Sequence, residues 1–198
     1  RKLQIASSLE VPISDNGKKV FQNVTNAARL DAAYTPPAAP TDSTLTVSAP
    51  LVQDEIAFTG APGYPDSVFE IRFTDPDNPK DYQVFETTTG TLLQSGSMDD
   101  NDDVHDSLVF AGVIIHLDGI PEGSETITIT SDPTREKQGV LDTIYQLRKA
   151  LEDNADTPQG HSNTRDAVAA AITNIDHGMV TIDRTRGDIG ARMNIIET

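Results

Sequence analysis

One acidic run has the residue types and spacing of a cation site. Asp99, Asn101 and Asp103 repeat the first three oxygen ligands of a calcium-binding loop. The glycine that such a loop needs at its sixth position is replaced by Val104, and its twelfth position carries Phe110 instead of a bidentate glutamate. Because only part of the loop rule is met, the sequence favours a solvated acidic loop over a calcium site.

The other groups that could do chemistry are isolated from one another. The four histidines, His105, His116, His161 and His177, include no pair at the i, i+4 spacing of zinc peptidases. The chain has no cysteine, which excludes disulfides, thiolate metal sites and cysteine catalysis. It has neither a Gly-x-Ser-x-Gly elbow nor a phosphate-binding glycine-rich loop with lysine. We therefore expect no enzymatic activity, no cofactor and no metal site.

The composition of the chain limits the kinds of molecule that it can bind. The 198 residues allow one large domain or two small ones. The formal net charge of −16 at pH 7 opposes binding to nucleic-acid phosphates and to anionic membranes. Aromatic residues make up only 5% of the chain, which disfavours a deep aromatic-lined pocket. No apolar run approaches the roughly 20 residues that a membrane helix needs. We expect neither a nucleic-acid nor a membrane partner.

The pattern along the chain predicts three parts with boundaries at 1–40, 41–131 and 132–198. In the first part, short apolar runs flank the turn signal at residues 15–17 (Asp-Asn-Gly), which predicts a small hairpin-like β-segment. Residues 35–44 are rich in proline and alanine and suit a connector between domains. The chain begins at Arg1 and its last residues carry no helix stop signal, so we expect a fragment trimmed within a helix.

The second part is predicted to be β-structure. Phe69, Ile71 and Phe73 alternate with charged residues, which is the period of a half-buried strand. Turn signals separate further short strands, predicted near residues 55–59, 82–86, 112–117 and 126–130. Strands at this spacing are typical of a β-sandwich or barrel.

The third part is predicted to form two helices that share an apolar stripe. The stripe comprises Val140, Ile144, Leu147 and Leu151 on the first helix, and Val168, Ile172, Ile175, Met179, Ile182, Ile189, Met193 and Ile196 on the second. Its spacing of three and four residues is that of a heptad seam, in which Arg186, between Ile182 and Ile189, is the one charged position. Ser162, Asn163 and Thr164 are candidate caps of the second helix. The first helix is long enough to cover about half of the seam. We expect Ile175 and Ile182 to be buried against Ile144 and Leu147, and the rest to meet a further helix or a neighbouring subunit. A purely intramolecular bundle core would have the same pattern.

Four segments, taken in their order along the chain, resemble segments of the flagellin superfamily. Within that superfamily they are most similar to the family of hook-filament junction proteins (hook-associated protein 3). They are Val11-Pro12 with Gly17 and Val20-Phe21, residues 110–121, the helix at 139–152, and Arg186 to Ala191 with Asn194. In the last segment Gly187 stands where the family usually has alanine or serine; an alignment that starts at Arg184 needs one extra residue.

The resemblance implies an α+β fold with an elongated, flagellin-like α-helical (coiled-coil) trunk and an inserted β-rich, sandwich- or barrel-like domain. It implies a structural subunit that joins the hook, through hook-associated protein 1, to the flagellin filament. Neighbouring copies of the chain and an export chaperone would be further partners. The protein would be extracellular, in the bacterial flagellum, after export through the flagellar type III pathway.

Two alternatives stay open at this point. One is the flagellin filament subunit itself. The other is a carbohydrate-binding or adhesive module carried on a coiled coil, which needs a ring of exposed aromatics. Its candidate residues are Phe58, Tyr64, Phe69, Phe73, Tyr82, Phe85 and Phe110.

Overall fold

The chain folds into two compact units. The computed structural model describes residues 2–6, 9–12, 14–39, 41–99 and 105–197. The helical unit comprises residues 1–26 and 136–198, and the β unit comprises residues 27–135 between them in sequence. The first predicted boundary, at residue 40, is wrong. Residues 27–40 belong to the β unit because the strand Leu30–Thr35 pairs along its whole length with Thr126–Ser131.

The helical unit combines short strands with two long helices. Its elements are β1 (Lys2–Ala6), β2 (Leu9–Pro12), α1 (Gly17–Phe21), β3 (Val24–Thr25), β13 (Lys137–Gln138), α3 (Val140–Asp153) and α4 (Pro158–Glu197). β1 and β2 form an antiparallel pair, as do β3 and β13. The hairpin expected in the first part is present, but Asn16-Gly17 is not its turn. Asn16 instead caps α1, its Oδ1 accepting a hydrogen bond from the backbone N of Lys18.

The β unit contains two antiparallel sheets. Its elements are β4 (Leu30–Thr35), β5 (Thr46–Val47), β6 (Leu51–Val52), α2 (Glu55–Thr59), β7 (Phe69–Phe73), β8 (Asp81–Glu86), β9 (Thr91–Ser97), β10 (Asp106–Phe110), β11 (Val113–Asp118), β12 (Thr126–Ser131) and a 3-10 turn at Pro133–Arg135. One sheet has the order β4-β12-β7-β8-β9; in the other, β11 pairs with β10, β5 and β6. Both sheets contribute to one hydrophobic core.

Alternating side chains set the faces of these strands. Phe69, Ile71 and Phe73 on β7 are almost fully buried, and the residues between them are half-buried. Ile127 on β12 lies opposite Ile71 in the antiparallel register. The pairing of apolar residues on one face, at period two, holds the two strands in that register because a slip by one residue would turn the apolar side chains outward.

One predicted strand is a helix. Residues 55–59 form α2, because the carboxylate of Asp54 accepts hydrogen bonds from the backbone N of Ile56 at 2.9 Å and of Ala57 at 3.1 Å. This N-cap satisfies two donors of the first turn and favours the helix over an extended segment. The strands β4, β9 and β10, which lack strong apolar alternation, were not predicted.

A buried carboxylate fastens the turn between β8 and β9. Glu86 is fully buried and accepts hydrogen bonds from the backbone N of Thr88 at 2.9 Å, of Thr89 at 2.8 Å and of Val68 at 3.2 Å. Burial acts to raise the pKa of Glu86, but the hydrogen bonds from Thr89 and Thr88 outweigh it and lower the pKa to about 2. The carboxylate is therefore ionised at neutral pH and acts as a structural anchor.

The long helix begins earlier than predicted. Thr157 precedes α4, and its hydroxyl oxygen accepts a hydrogen bond from the backbone N of Gly160 at 3.1 Å. The predicted caps Ser162, Asn163 and Thr164 therefore lie inside the first two turns. Proline at the first helical position suits this start, since its missing N–H would lack an intrahelical acceptor. Within the described part of the chain, no helix is both long and apolar enough to cross a membrane.

Candidate assembly face of the helical unit

The helices α3 and α4 pack antiparallel. Near the start of α3, Val140 approaches Gly178, and a Cβ on that glycine would lie 3.1 Å from Val140 Cγ2. Near the other end, Asn154 Nδ2 donates to Thr164 Oγ1 at 3.0 Å. At a rise of about 1.5 Å per residue, the 40 residues of α4 extend well beyond the 14 of α3. Much of α4 therefore lies past the end of its partner helix.

The buried face of α4 is offset from the predicted seam by one residue. Ala171, Asn174 and Gly178 are the buried positions in the middle of the helix. They are three and four residues apart. The predicted seam residues Ile172, Ile175 and Met179 have the same spacing, and each lies one position later in the chain. Small side chains at these positions let the two backbones approach closely, which larger aliphatic side chains would prevent. The aliphatic residues of the stripe therefore lie at the side of the α3–α4 pair and not between the two helices.

The apolar stripe is consequently only partly covered. Val140, Leu147, Val168 and Ile182 are half-buried, whereas Ile144, Leu151, Ile172, Ile175, Met179, Ile189, Met193 and Ile196 are exposed. Ile175 is 37% exposed and Ile144 is 51% exposed, so the expectation that they bury each other is wrong for these residues. So many large aliphatic side chains exposed along one stripe mark a surface that another helix or subunit can cover.

Polar bonds fix the orientation of α4 and were missed by sequence reasoning. Asn174 Nδ2 donates to Asn26 Oδ1 at 3.0 Å, and both side chains are buried. One turn on, His177 Nδ1 donates to the carbonyl of Thr25 at 3.1 Å. The only signal in the sequence is a polar residue at every third or fourth position beside the apolar stripe, and the heptad interpretation gives these residues no role.

Arg192 connects the C-terminal part of α4 to residues near the start of the chain. Its Nη1 donates to the carbonyl of Pro12 at 3.1 Å, and its Nη2 forms an ion pair with Asp15. Beside it, Pro12, Ile189, Met193 and Ile196 line an apolar groove of about 110 Å³. These bonds hold the C-terminal part of α4 against the end of β2, and the small groove beside them is open to solvent.

Other candidate sites find little support. Residues 100–104, which carry most of the acidic run, lie outside the described residues. Within the described ranges, no group of three histidine, aspartate or glutamate side chains is placed to hold a metal. The ring of exposed aromatics that the carbohydrate-binding alternative needs is not present: Phe58, Phe69, Phe73, Tyr82 and Phe110 are buried, Phe85 is half-buried beneath Arg72, and Tyr64 alone among the seven is exposed.

Comparison with solved structures places the whole chain in one known fold. A flagellar hook-associated protein 3 from Legionella pneumophila aligns with 18% identity and a TM-score of 0.59, over 100% of this chain and 58% of that one. FlgL from Xanthomonas campestris aligns with 18% identity and a TM-score of 0.58, over the same shares. The chain has the fold of a flagellar junction protein. A second Legionella pneumophila structure, the flagellar junction protein FlgL, agrees at 19% identity and a TM-score of 0.56, over 100% of this chain and 59% of that one.

The junction-protein fold predicted from the four sequence segments is thus confirmed. The chain spans somewhat more than half the length of the solved structures that it matches. No protein-family model and no curated protein sequence matches it.

Proposed function

We propose that this chain is part of a structural subunit of the bacterial flagellum that joins the hook to the flagellin filament. The observation that carries the proposal is the alignment of the entire chain, both units together, with junction proteins at TM-scores of 0.56 to 0.59. The exposed apolar stripe on α4 is a second support, because it is the surface that a trunk completed by a further helix would bury. The adhesive alternative lacks its aromatic platform and is not pursued.

The trunk is proposed to be completed as a coiled coil. The stripe from Val168 to Ile196 keeps the three-four spacing that a facing helix fills with knobs in holes, and a charge interrupts it only at Arg186. Its exposed residues cannot be covered by α3, which ends at Asp153 and packs against the small-residue face instead. A helix contributed by protein outside these 198 residues would bury them. In this arrangement the predicted seam residues form the trunk's core.

The proposed partners follow from a junction role. Hook-associated protein 1 would bind on the hook side, flagellin on the filament side, and copies of this chain around the ring. Export through the flagellar type III pathway requires an unfolded chain and an export chaperone. A chain without cysteine suits that route, because no disulfide can form before assembly. The site of action would be extracellular.

Gene deletion with complementation tests the role. Cells of the source organism that lack the gene should assemble hooks without filaments and release flagellin monomers into the medium. Complementation with the complete gene should restore filaments. Deletion cells that still carry full filaments would contradict the junction role. Deletion cells that make filaments of altered composition would favour the flagellin alternative.

A further inference from the structure

A groove lined by proline rings opens where three loops of the β unit meet. Pro37 lies in the segment after β4, Pro76 and Pro79 lie in the turn after β7, and Pro121 lies in the loop before β12. The proline groove has a volume of about 540 Å³. The groove is open to solvent, so it offers the proline rings as an apolar surface on which an aromatic side chain can pack.

Carboxylates hold these loops in place. Glu122 accepts hydrogen bonds from Thr41 Oγ1 at 2.8 Å and from the backbone N of Asp42 at 2.6 Å. Glu125, which is fully buried, accepts from Ser43 Oγ at 2.7 Å and from the backbone N of Glu122 at 2.6 Å. Because the loops are already fixed, a partner that enters the groove loses little conformational entropy to ordering them.

A glycine brings two of the loops into backbone contact. Gly123 has φ +80°, and a Cβ there would lie 2.4 Å from the carbonyl oxygen of Asp75. No other residue type fits this approach, so the loop before β12 and the turn after β7 form one rigid rim.

The residues around the proline groove carry carboxylates that have no paired cation among the described residues. Two exposed aspartates adjoin its lining residues: Asp42, whose backbone N donates to Glu122, and Asp77, which follows Pro76 in the chain, and neither forms an ion pair with a described residue. Glu122 lines the groove itself, and no lysine or arginine lines it. The complementary ligand is therefore an aromatic side chain flanked by cations.

The chain carries such a segment on the helix α1. Phe21 is 50% exposed, whereas the other five of its six phenylalanines are buried or half-buried. Lys18 and Lys19 precede it, both exposed and without an ion pair to a described residue. The cap by Asn16 fixes this short helix, so the cations and the ring are presented together.

We propose that α1 of one copy docks into the proline groove of a neighbouring copy. The ring of Phe21 packs on the prolines, and Lys18 and Lys19 face the carboxylates of Asp42 and Asp77. Because the two surfaces differ, the contact is head-to-tail, and repeated contacts build a ring or a helix rather than a closed pair. The inference deepens the proposed function by naming one self-contact within the assembly.

Cross-linking of paired cysteine variants tests the contact. The 198-residue chain has no cysteine, so the variants Gln22→Cys, beside Phe21, and Ala38→Cys, on the lining of the groove, each carry a single thiol and leave Phe21 and the prolines in place. One is isotopically labelled, the two are mixed and oxidised, and mass spectrometry counts the mixed disulfide. A disulfide needs Cβ atoms about 3.5–4.5 Å apart, so only docked copies form it efficiently. The control mixes Gln22→Cys with Ile56→Cys, since Ile56 is 86% exposed on α2 and does not line the groove.

The expected result is about tenfold more mixed disulfide with Ala38→Cys than with the control, the ratio that 1.4 kcal/mol of preferential binding gives. The charge reversals Lys19→Glu and Asp77→Lys should each remove the excess, and the two reversals combined in one chain should restore it. Equal yields in the two mixtures, or no rescue by the combined reversal, would overturn the proposal. Because purified protein is used, either outcome leaves the flagellar role to be judged by the cellular experiments.

Discussion

Asn174 and Asn26 share a buried hydrogen bond across 148 positions of the chain, with Asn174 Nδ2 donating to Asn26 Oδ1 over 3.0 Å. Both residues are 4% exposed. Because buried amides are costly when they lack a partner, this bond selects the rotation of α4 about its own axis. The selected rotation leaves Ile175, the next residue, at the surface and available to a further helix.

The first prediction compares these neighbours on α4. Replacing Asn174 with alanine leaves the Asn26 amide buried without this bond and should lower the free energy of unfolding by about 2 kcal/mol. Replacing Ile175 with alanine should cost about 1 kcal/mol, because about a third of that residue is already in water. Urea unfolding followed by helical circular dichroism measures both. A larger loss for the Ile175 variant would mean that the apolar stripe, not the small-residue face, is the internal core.

The second prediction separates folding from assembly at the apolar stripe. Ile175→Asp should lower the melting temperature of the 198-residue chain only modestly, since the residue lies at the surface and its carboxylate can reach water. In the complete protein the same charge would be stranded in the proposed coiled coil, at a cost of several kcal/mol, and filaments should fail to attach. The control Asn163→Asp adds one carboxylate at an exposed polar position of α4 and should leave attachment normal. Normal attachment with Ile175→Asp would refute the proposed coiled coil.

These positions show what sequence patterns could and could not predict. The strand Phe69–Phe73 was predictable because strict alternation reflects a sheet with one face in the core. The junction-protein fold was predictable from the order of four short segments. The register of α4 was not, because a heptad pattern identifies an apolar face without showing which element covers it. Close approach at Gly178 and the bond of Asn174 decide that register, and both depend on residues distant in sequence.

The third prediction concerns two glycines of α4. A Cβ at Gly187 would meet nothing within 4 Å among the described atoms, so Gly187→Ala should raise stability by about 0.5–1 kcal/mol through better helix propensity. Gly178→Leu should instead lower it by about 1–3 kcal/mol, since the added side chain would push against Val140. Thermal melts of the two variants show the contrast. Similar shifts for both would argue against the close packing of α3 on α4.

The fourth prediction is an acid dependence that originates at Glu86. Its folded-state pKa of about 2 lies below the ordinary value, so ionised Glu86 stabilises the fold above about pH 4.3. That contribution is lost as the pH falls from about 4.3 towards 2. Glu86→Gln should lower the free energy of unfolding at pH 7 by roughly 2 kcal/mol, and its deficit against the unmodified protein should shrink over this acid range.

Urea unfolding at a series of pH values gives the difference directly. Asp81→Asn is the matched control, because Asp81 is an exposed carboxylate on β8, the strand that ends in Glu86. The control should lose little stability at pH 7. A deficit of Glu86→Gln that stays constant from pH 7 to pH 2 would contradict the anchoring role of the carboxylate.

Immunogold electron microscopy of intact flagella tests the central claim most directly. Antibodies raised against the 198-residue chain, applied to cells of the source organism, should label a single short zone where each filament meets its hook. Cells deleted for the gene supply the control for antibody specificity. Labelling along the whole filament would contradict the junction assignment in favour of a filament subunit, and the absence of any flagellar label on intact cells would contradict the flagellar role itself.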